Sequence, residues 1–285
     1  MKTRSIFILT VAAFMLVGCD KHDFFDDLTI TGEVGPQAYW EIGSSAVSAG
    51  QSLSFQLQYY TALKGVSIDR SEAWYNLTEN IERQVSCPWV SSFTYSVISS
   101  VAEEKRIEQK IKTYAHTEDL WNDSLHAYYI EESFPVSSTL APFSWTNPAV
   151  FEADKMNQYF GEGFMQHFKD SLEQKLKYAD YRSMMIGLGL VDDFMQYTDS
   201  TFDVNSDAYV YHFKWNADST AQPVPDELTT LYRDSVSFDR LIYSSADNSY
   251  SVSYIRKYNI RALIRVYDDR DVYGITEPKE IEVIQ

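Results

Sequence analysis

Cysteine is almost missing from this 285-residue chain, which has two, Cys19 and Cys87, beside 21 tyrosines and 16 phenylalanines. Cys19 falls in the leader treated below, so neither a disulfide framework nor a cysteine-based zinc cluster can be built. Cys87 sits in Gln84-Val85-Ser86-Cys87-Pro88-Trp89 with no histidine nearby in sequence. It reads as a small buried hydrophobe rather than a nucleophile. Histidine is scarce as well: His22, His116, His126, His167 and His212 are scattered, and no two have the i, i+4 spacing of a helical metal site. Basic side chains are in deficit, 24 against 41 acidic ones, for a formal charge of -17. A field of that sign repels phosphate backbones, which argues against nucleic acid as a partner, and it removes a polybasic grip on anionic lipid. There is no Gly-x-Ser-x-Gly elbow, no Gly-rich phosphate loop ending in Lys-Ser/Thr, no His-Glu-x-x-His and no internal repeat. No cofactor is expected.

What is present begins at the N-terminus. Lys2 and Arg4 precede an apolar run over residues 6–17, about a dozen residues where a membrane-spanning helix needs about 20. The run ends in Leu16-Val17-Gly18-Cys19. This resembles the lipobox of bacterial lipoproteins, which implies removal of residues 1–18 and lipid on Cys19. One acyl chain alone holds marginally, whereas two or three make attachment effectively permanent. Asp20, Asp23, Asp26 and Asp27 follow at once. An acidic cluster in that place resembles the surface-export signal of Bacteroidota-type lipoproteins; the alternative is a plain solvated tether. Residues 19–36 are read as the lipidated leash, and the implied location is the outer membrane, at the cell surface.

Beyond the leash, Leu53, Phe55, Leu57 and Tyr59 alternate with Ser54, Gln56 and Gln58, the period of a half-buried strand. A second strand over 66–77 carries Trp74. Near the far end, Ile260, Ala262, Ile264 and Val266 alternate with Arg261, Leu263, Arg265 and Tyr267, 268–274 form a polar turn, and 279–284 make a last strand. Early strands with a tryptophan, a long late strand and a short final one resemble an immunoglobulin-like sandwich in architecture. The middle differs. Phe164, Phe168, Leu172 and Leu176 recur every fourth residue, the stripe of an amphipathic helix, while 183–190 reads as a short buried strand and 209–215 as another. The expected fold is therefore α+β and β-rich: a sandwich from residues 37–129 and 246–285, with an inserted α+β segment at 130–245. Leu53, Phe55, Leu57, Trp74, Ile260, Ala262, Ile264 and Val266 are expected to share one core.

Chemistry-bearing patterns are few. Asp203-Val204-Asn205-Ser206-Asp207 matches the first ligand positions of an EF-hand loop, but the required glycine is Ala208 and the bidentate glutamate is Lys214, so the motif is rejected. Asp268, Asp269 and Asp271 read as an acidic turn rather than a calcium loop. With 41 acidic residues, carboxylate pairs arise by chance and do not by themselves argue for a glycosidase. Tyr209, Tyr211, Phe213 and Trp215 share one strand face, whose commoner fate is burial. Trp89, Trp121 and Trp145 lie in loop-like contexts and are candidates for stacking on sugar rings, together with Trp215; Asn122 and Asp123 are candidates for hydroxyl recognition. Asp-Ser followed by an aliphatic residue or threonine places Ser124, Ser171, Ser200, Ser219 and Ser235 in a pattern that looks like the O-glycosylation acceptor of Bacteroidota exported proteins. Ser171 falls inside the expected helix and is set aside.

In outline the chain is similar to the surface glycan-binding lipoproteins of polysaccharide-utilisation systems. That resemblance implies a non-catalytic envelope protein that binds polysaccharide. The alternative is a structural or assembly lipoprotein that binds another envelope protein through a sheet edge or an apolar patch, and the third reading is a hydrolase.

Overall fold

Strand formation follows the alternation already noted, because a side-chain period of two puts one face of each strand in the core and the other in water. The computed structural model describes residues 34–102, 109–214 and 224–285. Cys19 with its leader, Trp215 and Ser219 lie outside these described residues. The first nine strands are β1 (Gln37–Ile42), β2 (Ala46–Ser48), β3 (Ser52–Tyr60), β4 (Ile68–Ser86), β5 (Thr94–Ala102), β6 (Gln109–Ala115), β7 (Trp121–Asn122), β8 (Ala127–Pro135) and β9 (Phe143–Thr146). Helices α1 (Ala153–Phe160), α2 (Phe164–Glu173) and α3 (Tyr178–Gly187) then lead to a hairpin of β10 (Thr198–Asp203) and β11 (Ala208–Phe213). The chain ends with α4 (Asp226–Ser235), α5 (Phe238–Ile242), β12 (Tyr243–Ser244), β13 (Ser249–Tyr250), β14 (Val252–Asp268), β15 (Tyr273–Ile275) and β16 (Lys279–Ile284). The fold is α+β and β-rich.

A long ribbon organises it. β4 and β14 pair antiparallel from Val85 opposite Val252 to Arg70 opposite Tyr267. The flanks of β4 are covered in turn by β5 and β6, and those of β14 by β9, β16 and β15, giving an eight-stranded sheet closed at one edge by β2. A second sheet has the order β1-β3-β8-β7. Its inner residues Trp40, Leu53, Phe55, Leu57, Ile130 and Phe134 meet Ala73, Ile260, Ala262, Ile264, Val266 and Ile281 of the large sheet in one core. The two ends of the chain therefore share a hydrophobic interior. Trp40 ties it together further by donating its indole N–H to the Glu277 carbonyl at 2.7 Å.

The other end of the ribbon serves a second core. Val85, Val252 and Tyr254 pack there with Met156, Phe168, Leu172, Tyr181, Met184, Met185, Leu228 and Leu241 from the helices. The α2 stripe appears where its period predicts, with Phe168 and Leu172 buried. Gly187 closes this region tightly: a Cβ there would overlap the indole of Trp89.

Four expectations need correction. Residues 183–190 are not a strand; α3 occupies most of them, because Tyr181, Met184 and Met185 fall at helical spacing on the buried side. Asp180 supports its start by accepting the Lys177 backbone N–H at 2.9 Å. The strand carrying Trp74 begins at Ile68 and continues to Ser86, far past 77. Trp74 itself is outside the shared core. It stands on the opposite face of β4, half-buried, with the Arg265 guanidinium 4.2 Å from its ring centroid. In a strand only every second residue can face a given core, and Ala73 holds that place. β8 also runs to Pro135 as a full member of the four-stranded sheet, past the expected limit at 129.

Candidate functional site

The tryptophans do not converge. Trp145 is buried at 8% exposure, so its indole is closed to a ligand. Trp89 is half-buried against the helical core, where its N–H donates to the Arg240 carbonyl at 3.2 Å. Trp121 is 43% exposed but belongs to the four-stranded sheet, packed edge-on against Tyr128 at 5.2 Å. Its neighbours are already engaged. Asp123 accepts the Trp121 indole N–H at 2.9 Å, and the Asn122 side chain accepts the backbone N–H groups of Ser124 and Leu125. The proposed set of Trp89, Trp121 and Trp145 with Asn122 and Asp123 is thus dispersed, and Trp215 lies outside the described residues. Ser124 and Ser235 are exposed and Ser200 is half-buried.

A different surface gathers the required chemistry. The outward residues of β1, β3 and β8 form rows across the sheet: Tyr39–Gln58–Tyr129, then Glu41–Gln56–Glu131, with Gln37 opposite Tyr60 at one end. They point outward because the alternate positions Trp40, Leu57, Tyr59 and Ile130 are consumed by the core. Tyr39 is 54% exposed and Tyr60 is 39% exposed. Each of two tyrosines leans along its own strand to the carboxylate two residues on: Tyr39 donates to Glu41 and Tyr129 to Glu131, both at 2.6 Å. Those bonds to the glutamates hold both phenols above their ordinary pKa, since a phenolate would face a carboxylate. Gln56 donates to Glu131 at 3.1 Å, and Tyr60 donates to Gln37 at 2.7 Å. Two depressions mark the face. One of about 630 Å³ is lined by Glu41, Gly43, Ser54, Gln56, Glu131 and Ser133, and one of about 230 Å³ by Gln37, Tyr39, Gln58, Tyr60 and His126.

β1, β3, β7 and β8 contain no lysine or arginine. The face therefore offers aromatic rings, amides, hydroxyls and two carboxylates. Aromatic planes beside amide and carboxylate groups suit a polyhydroxylated ligand, whose C–H faces pack on rings while its hydroxyls find partners. Both carboxylates are exposed, so water reaches the space between them.

Three other clusters are structural or apolar. On the outer face of the large sheet, Glu72 is buried at 3% exposure and accepts from Arg70 Nε at 3.0 Å, Trp74 Nε1 at 3.1 Å and Lys110 Nζ at 3.3 Å. Burial raises its pKa, but the bonds from Arg70 and Lys110 prevail and leave it below the ordinary carboxylate value. Asp268 is likewise buried, accepting from the Arg270 side chain and from the backbone N–H groups of Arg270 and Val272, so it organises its turn. The β10–β11 hairpin exposes Phe202, Tyr209 and Tyr211 on one face while Phe213 at its base is buried. Burial of that whole aromatic face is thus corrected: the hairpin extends beyond the core it is rooted in.

Among the described residues, no group of three or more His, Cys, Asp or Glu side chains is placed to hold a metal ion. No described helix is long and apolar enough to cross a membrane. Comparison with protein-family models, curated proteins and solved structures finds no match to this chain.

Proposed function

We propose that this chain is a non-catalytic, lipid-anchored protein of the bacterial outer membrane that binds polysaccharide at the cell surface. The observation that carries the binding role is the exposed face of the four-stranded sheet, where Tyr39, Tyr60 and Tyr129 stand among Gln37, Gln56, Gln58, Glu41 and Glu131 with no lysine or arginine on these strands. The anchoring role rests on Leu16-Val17-Gly18-Cys19 and the acidic residues after it. We read the sandwich as immunoglobulin-like in architecture; two sheets facing across a core built from both chain ends support that reading.

A glycan array probed with the body lacking residues 1–19 tests the binding role. Retained glycans should be lost from the Tyr39→Ala/Tyr129→Ala double variant, and an array with no bound glycan refutes it. Cys19→Ala tests the anchor: the protein should leave the membrane fraction or remain unprocessed, and a processed variant that stays membrane-bound refutes lipidation. The exposed aromatic hairpin favours a second reading, docking to another envelope protein. Loss of a co-purifying partner in Tyr209→Ser/Tyr211→Ser, with glycan binding absent, would select it.

A further inference from the structure

The two Tyr–Glu pairs repeat across the sheet in register. β1 and β8 both run antiparallel to β3 and hence parallel to one another. Tyr39-Trp40-Glu41 and Tyr129-Ile130-Glu131 stand on either side of the same two residues: both tyrosines oppose Gln58, and both glutamates oppose Gln56. The middle residue of each triplet is buried in the shared core, at 1% exposure for Trp40 and 8% for Ile130, which pins both triplets in register. Each tyrosine makes the same bond to its own glutamate. A shift of two strand spacings, about 9.5 Å, combined with the sheet twist of about 20 to 25° per strand, therefore carries one pair close to the other with the same strand direction.

A small ligand needs one such pair. Two pairs facing the same way match a ligand that repeats by translation, a polymer of identical units lying across the strands with Gln56 and Gln58 between its contacts. A partner with two-fold symmetry would need pairs related by rotation. Charge narrows the class further. An anionic polymer would meet Glu41 and Glu131 with no cation on these strands, in the field of a chain of formal charge -17.

We infer that the face holds two equivalent subsites for the repeat units of an uncharged polysaccharide running across β1, β3 and β8. This rests on the polysaccharide-binding reading above and specifies its direction, its multiplicity and its charge preference.

The test titrates the full lipidated chain, in a detergent without a sugar headgroup, by calorimetry. The probes are uncharged gluco-, manno- and galacto-oligosaccharides of one to six residues, and oligogalacturonides of the same lengths. Affinity should rise by about tenfold once the ligand reaches both tyrosines, as expected for two linked contacts. Tyr39→Ala and Tyr129→Ala should each return the long ligand to the affinity of the short one. Tyr39→Phe and Tyr129→Phe, which keep the ring, should retain most of the gain, and unchanged circular dichroism checks the fold of all four. Oligogalacturonides should bind at least about tenfold more weakly than uncharged chains of equal length. Affinity independent of length, a loss confined to one tyrosine, or equal binding of oligogalacturonides overturns this inference and leaves polysaccharide binding standing. Absence of binding by every probe, charged or uncharged, overturns polysaccharide binding itself.

Discussion

Replacing Glu72 by glutamine keeps the shape of a buried side chain and removes its charge, and the cost should depend on pH. Glu72 receives three donors, from Arg70, Trp74 and Lys110. A hydrogen bond to a charged group contributes about 1.5 to 3 kcal/mol net, but exposed ion pairs contribute about 0 to 1 kcal/mol. Lys110 is half exposed and regains water, and Arg70 keeps Asp69 and Asp271 as partners, so the sum is well below three full bonds. The expected loss for Glu72→Gln at pH 7 is about 2 kcal/mol. Because the folded state lowers the Glu72 pKa, it holds the ionised form more tightly than the unfolded chain does. That contribution is complete above the unfolded value, about 4.3, and disappears as pH falls through the lower folded value. Urea melts followed by circular dichroism at pH 7 and pH 3 should therefore separate the two proteins at neutral pH and show a narrower gap in acid. Tryptophan emission gives an independent readout, since the Trp74 indole loses an ionised acceptor. An equal stability gap at both pH values, or none at pH 7, would refute the reasoning.

Other expectations follow from the cores. Leu57→Ala, at a fully buried position of the shared interior, should cost about 4 kcal/mol in denaturant melts. Trp74→Ala should cost less, about 2 to 3 kcal/mol, because it loses the contact with Arg265 and the indole bond to Glu72 rather than a core position; a ranking with Trp74 above Leu57 would contradict its placement. Gly187→Ala forces the Trp89 ring to move and should cost about 1 to 3 kcal/mol, with a shift in indole emission. Burial pushes the Cys87 thiol up to about 11, so a thiol reagent at pH 8 should label it only after unfolding.

Strands with one clean face were legible in the sequence. The alternation at 53–59 and at 260–266 and the final strand, Lys279–Ile284, all follow from period two. The run at 183–190 misled because a short apolar stretch has the same composition in a buried helix and a buried strand, and only its packing partners distinguish them. The exposed face of the four-stranded sheet was half visible. Ser54, Gln56 and Gln58 alternate with core residues, but the exposed rings beside them are tyrosines rather than the expected tryptophans. The usable signal was the exposed–buried–exposed pattern of Tyr39-Trp40-Glu41 and Tyr129-Ile130-Glu131. Sequence could not place those triplets side by side, because their alignment depends on pairings such as that of Gln56 with Glu131, 75 positions apart.

The β4–β14 ribbon makes the molecule indivisible. Its Ala73 and Ile264 end belongs to the interior shared by the two sheets, and its Val85 and Val252 end to that of the helices. One alignment of two strands thus sets the inside and outside of both halves, and a slip by a single residue would turn both inside out at once. No cut frees the helical half without severing the ribbon twice and leaving raw strand edges on each fragment. The helices therefore cannot be exchanged between proteins as a cassette: whatever inherits them must inherit the whole length of the ribbon.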